Sequence, residues 1–167
     1  RVAPLLGSPY DSAATARLGL IEQVAGNYPA ACEHYRKALQ SNPREVLILN
    51  SLAYILAEFM GNPAEALRYA QAAKALAPEN AAVDDTLGWT YYKVGSYSKA
   101  VQHLELAVGR AANARRQAHL AMAYARIGNR SRARQTLVAA LKLDPQLPEA
   151  SLARKVVDEG AIAAGNE

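Results

Sequence analysis

The chain has 167 residues, 51% hydrophobic and 20% charged, with a net charge of +4. This excludes a disordered chain and allows one domain or one short repeat array. Alanine is abundant while Phe and Trp occur once each, so the runs that build a sheet are missing and the composition predicts an all-α fold. The single cysteine, Cys32, excludes a disulfide framework or a cysteine metal site, and no apolar run reaches the roughly 18 residues of a membrane span.

In chain order, residues 1–10 read as the tail of a preceding repeat, because Pro9 lies one period before Pro43. From residue 11 onward one turn recurs four times, at Gly26 to Ala31, Gly61 to Ala66, Gly95 to Ala100 and Gly128 to Ala133. Each copy has Gly, then Asn or Ser, then an alanine five residues after the glycine. The glycines are 35, 34 and 33 residues apart, a period that belongs to helical-hairpin arrays. Helical stripes precede each glycine, such as Leu87, Tyr91 and Val94, or Leu120, Tyr124 and Ile127. Second stripes follow: Ala31, Tyr35 and Ala38; Ala66, Ala70 and Ala73; Ala100, Leu104 and Ala107; Ala133, Leu137 and Ala140. Glycine just past a helix end closes the first helix of each pair. Pro43, Pro78 and Pro145 end second helices, since proline cannot continue one.

The predicted units are 11–43, 44–78, 79–112 and 113–147, followed by a capping helix over 148–159 (Leu152, Val156 and Val157 inward) and a frayed tail over 160–167. One extra residue near Met60 predicts a bulge where the first helix of the second unit ends. The adjacent Asp84 and Asp85 follow Asn80 at a helix start, where carboxylates complement the helix dipole.

The run Leu87-Gly88-Trp89-Thr90-Tyr91-Tyr92-Lys93-Val94-Gly95, continued by Tyr97, Ala100, Leu104 and Ala107, resembles the tetratricopeptide repeat pattern at nearly every signature position. The resemblance extends over roughly Asp11 to Pro145, with departures at Glu22, where an aromatic is usual, and at Arg110-Ala111-Ala112, where a closing proline is missing. It implies a right-handed superhelical solenoid of antiparallel helix pairs, with first helices lining a concave groove. It also implies that a partner is met by set positions of each first helix. Carried across, these give Leu20, Leu47, Asn50, Tyr54, Asp85, Trp89, Tyr92, Lys93, Arg115, Met122 and Arg126. Leu20, Tyr54, Trp89 and Met122 would form an apolar row, the kind of surface that carries binding hot spots. The lysine-and-asparagine clamp of chaperone-binding members does not fit, since Ala16 and Leu20, or Asn50 and Tyr54, stand at its positions. The alanine-rich strings are similar to bacterial members, including scaffolds of cell-envelope and exopolysaccharide-export assemblies.

The expected function is therefore a non-enzymatic scaffold for a protein or peptide partner, without metal or cofactor; the alternative is a homo-oligomerising module. No phosphate loop, zinc-binding helix motif or nucleophile elbow occurs, and His34, His103 and His119 are isolated from one another. Between Gly109 and Leu143 lie seven arginines and a lysine with no acidic residue, a run that could steer an acidic partner. It lacks the interleaved aromatics of a nucleic-acid surface.

Overall fold

The computed structural model describes residues 9–162, with side-chain surroundings for 12–159. The expectations for residues 1–8 and 163–167 lie outside the described residues. Among the described residues there are nine helices and no strand: α1 (Pro9–Val24), α2 (Tyr28–Ser41), α3 (Val46–Glu58), α4 (Pro63–Leu76), α5 (Ala81–Lys93), α6 (Tyr97–Arg110), α7 (Ala114–Arg126), α8 (Arg130–Leu143) and α9 (Ala150–Ile162). Among the described residues no helix is long and apolar enough to cross a membrane.

The turns explain the pairing. Gly26, Gly61, Gly95 and Gly128 all adopt positive φ, between 60° and 81°, which a side-chain-bearing residue enters only at a steric cost. Three of these turns close with a bond spanning five residues, such as Ser96 N–H to the Tyr91 carbonyl, whereas Asn62 N–H reaches back six residues to Leu56. The extra residue near Met60 is therefore absorbed by a wider turn. Asn62, Asn113 and Asn129 each accept a backbone N–H three residues ahead, and Asn80 accepts two, from Ala82 and Val83. These asparagines satisfy donors that a helix start leaves open. α2, α4 and α8 each end two residues before a proline.

The chain divides into two compact units, Arg1–Pro78 and Glu79–Glu167. In the first, α1 pairs with α2, α3 pairs with α4, and α2 packs against α3. Its core holds Leu52, Ile55 and Leu56, with alanine stripes Ala31–Ala38 and Ala66–Ala70–Ala73 at no exposure. In the second, α5 pairs with α6 and α7 with α8, while α6 and α9 both pack on α7. Small residues let paired helices approach closely. Gly88 faces Leu104 so tightly that an added Cβ would lie 2.7 Å from Leu104 Cγ. α9 starts two residues later than the sequence pattern suggests and continues through Gly160 to Ile162.

Candidate functional site

In the first unit α1 and α3 border an open cavity of about 590 Å³. Ala13 and Ala16 form a smooth wall on α1, and their short side chains leave the space that larger ones would fill. Ile48 and Tyr35, 5% and 3% exposed, are packed at its base. Tyr35 reaches this position because α1 carries Gly19, where a Cβ would lie 2.7 Å from the ring. The Tyr35 hydroxyl donates to Gln23 Oε1 at 2.8 Å, and burial raises its pKa above the ordinary phenol value. Leu20 and Leu47 line the cavity at 53% and 74% exposure, while Arg17, Asn42, Glu45 and Ser51 supply the polar margin.

Asn50 and Tyr54 continue along α3. Both are half-buried, and the Asn50 carboxamide oxygen is enclosed without a protein hydrogen-bond partner. Tyr54 meets Phe59 edge-on at 5.9 Å, and Phe59 stacks on Tyr28 at 3.8 Å. Four of the sequence-predicted residues thus share α1 and α3, with the two leucines open to solvent.

The second unit treats its predicted residues differently. Trp89 is 3% exposed and Met122 is fully buried, so neither stands as an open anchor in a groove. Trp89 is sandwiched between Tyr92 of its own helix, at 4.8 Å and 5°, and His119 of α7, at 4.1 Å and 13°. Lys93 Nζ lies 4.9 Å from the indole centroid, a cation–π contact. His119 Nδ1 is 2.9 Å from Asp85 Oδ1. Arg126 Nε donates to the Tyr92 hydroxyl at 3.2 Å, and that bond is the leading cause of the raised Arg126 pKa. Arg115 Nε donates to Glu149 at 3.0 Å. Asp85, Trp89, Tyr92 and Lys93 of α5 and Met122 and Arg126 of α7 therefore form internally paired layers or core, because α5 and α9 both pack on α7.

Sequence reasoning missed the ion pairs. Asp84, fully buried, bonds Arg110 and lies 3.5 Å from His103; it is part of the α5–α6 contact, while Asn80 does the capping. His119 is 2% exposed. Asp85–His119, Tyr92–Arg126 and Arg115–Glu149 are all 34 residues apart. That offset, within one residue of the 33 that separates Gly95 from Gly128, is the signal that could have found them, since nearby positions on successive first helices can face one another. The arginine run is largely consumed the same way: Arg116 bonds the Ala111 carbonyl and Arg132 bonds Glu105 and Tyr124.

The tetratricopeptide repeat family model matches residues 16–81 and again 114–147, together more than half of the chain. Among solved structures, a MamA protein is similar at TM-score 0.73 with 19% identity, over 92% of this chain and 84% of that one. The pilF protein of Pseudomonas aeruginosa gives 0.72 at 24%, over 89% and 68%. YrrB, described as a repeat protein with an unusual peptide-binding site, gives 0.71 at 22%, over 86% and 74%. At these identities the likeness shows the helical-repeat fold. No curated protein matches the chain.

Proposed function

The chain belongs to the tetratricopeptide repeat family, and on that premise we propose that it is a non-enzymatic scaffold holding one segment of a partner protein between α1 and α3. The observation that carries this reading is the pair of solvent-exposed leucines, Leu20 and Leu47, lining a mainly apolar cavity of about 590 Å³. An apolar cavity with a few polar groups at its margin is the usual form of a recognition site. Burying a leucine side chain contributes about 1.5–3 kcal/mol, so two half-open leucines give a partner's aliphatic side chain a real gain. In the second unit most of the arginines are paired within the fold, which favours this reading over a nucleic-acid surface.

The test is capture from lysate of the source cells by wild type and by Leu20→Asp/Leu47→Asp, with both shown folded by circular dichroism. A partner retained by wild type and reduced at least about tenfold by the variant supports the groove; equal capture refutes it.

Self-association is a second reading, favoured by one observation on α1. Leu18 and Ile21 are 48% and 61% exposed, whereas their counterparts one repeat on, Leu52 and Ile55, are fully buried where α2 packs on α3. A second copy of the chain covering this face would be seen as a dimer by sedimentation velocity, abolished by Leu18→Asp/Ile21→Asp. A strictly monomeric wild-type chain refutes it.

A further inference from the structure

We propose that α9 is a replaceable occupant of the groove face of α7, and that this face takes an amphipathic helix with a stripe of alanine and valine. The inference rests on the same reading of the first helices as groove-lining elements. On α1 the groove positions are open or half-open: Ala16 and Gln23 are half-buried and Leu20 is 53% exposed. Their equivalents on α7 are Ala118, Met122 and Ala125, at 0%, 0% and 6%. Every residue from Ala118 to Ala125 is buried, so α7 has no open side over two turns.

The element that packs there is α9. A helix placed one repeat after α7 would be expected to pack chiefly on α8, just as α7, of the two helices before it, packs chiefly on α6 and only marginally on α5. α9 instead packs more extensively on α7 than on α8, and so leans toward the groove side. It presents Ala150, Ala153, Val156 and Val157, all at most 8% exposed, while Arg154, Lys155, Asp158 and Glu159 face solvent. This is helix-in-groove recognition carried out within one chain. The buried stripe of α9 has no residue larger than valine, and the polar link between its approach and α7 is the half-exposed Arg115–Glu149 pair. The hold is therefore of the kind a competing helix can displace.

The experiment uses the full chain and a fluorescein-labelled peptide of residues 148–162, read by anisotropy. Wild type should bind the peptide weakly, because its own α9 competes at a high effective concentration. The variant Ala153→Asp/Val157→Asp, which loosens α9, should bind it about 100-fold more tightly. The same affinity should persist when Leu20→Asp/Leu47→Asp is added. No gain in a variant that keeps its helical circular dichroism overturns the proposal, and loss of binding on adding the α1–α3 substitutions moves the site to the first unit and overturns it too. That last pair of substitutions also separates this inference from the partner site above, because each can fail alone. Hydrogen exchange on wild type guards against a variant that does not fold. Amides of 150–159 should exchange at least tenfold faster than those of 118–125, and exchange of both at one rate overturns the proposal.

Discussion

Gly88→Ala should destabilise the second unit, although alanine is the better helix former. In the interior of α5 the change favours the helix by about 1 kcal/mol. Against this, the new Cβ would sit 2.7 Å from Leu104 Cγ and 3.1 Å from the Leu104 backbone nitrogen, where ordinary contact begins near 3.4 Å. Leu104 has no exposure, so its side chain has no free volume to enter, and the backbone contact means that α6 itself must shift. Overpacking of this kind costs about 1–3 kcal/mol, and with a backbone atom in the way the upper half of that range applies, leaving a net loss of about 1 kcal/mol or somewhat more after the helix term. Trp89 is the only tryptophan and lies in the same unit, so its fluorescence reports the unfolding directly. With a urea dependence of about 1 kcal/mol per molar for a unit of this size, the midpoint should fall by about 1 M. Gly109→Ala is the internal control: nothing lies within 4 Å of its added Cβ, and the midpoint should rise by several tenths of a molar, about 0.5–1 kcal/mol. If both substitutions raised the midpoint alike, the close α5–α6 approach would not be real.

Met122→Ala should cost about 2–5 kcal/mol in the same assay, as a cavity in a closed core does, whereas Leu47→Ala at the open groove should stay within about 0.5 kcal/mol of wild type; similar losses would contradict the burial contrast between them. Asp84→Ala should cost about 3 kcal/mol, the lower end for a broken buried pair, because Arg110 is 28% exposed and can turn to water; a neutral result would show that the pair is dispensable. The Cys32 thiol is pushed above its ordinary value of 9.0 chiefly by burial, and Tyr35 above 10.0 by the same cause. The unfolded chain therefore ionises first, and the stability these groups contribute is full below pH 9 and lost as pH rises through their folded values. Urea midpoints followed by circular dichroism should fall between pH 8 and pH 10.5, and fall less in Cys32→Ala; an equal fall in the two would remove Cys32 from the account.

The helical pairs were legible in the sequence because they rest on local chemistry. Glycine at positive φ, asparagine at the helix starts and proline after the second helices act within a few residues. The exposure of Leu20 and Leu47 on α1 and α3 was legible too, since the repeat register puts both on the open side of their helices. Trp89 and Met122 were not, because a register position says which way a residue points and not what lies opposite. His119 of α7 stacks on Trp89, and α9 packs on the helix that carries Met122; both depend on parts of the chain far from the residue in sequence. Asp84 shows the same limit: beside Asn80 it reads as a capping carboxylate, and only the approach of α6 makes it the buried partner of Arg110.

The most direct test of the central claim is site-specific photocrosslinking of the captured partner. A benzophenone amino acid placed at Leu47 lines the proposed groove, and the same residue at Lys37 sits on the exposed side of α2 in the same unit. The account predicts a covalent adduct with the partner from position 47 and none from position 37. An adduct from position 37 alone, or equal adducts from both, would contradict it.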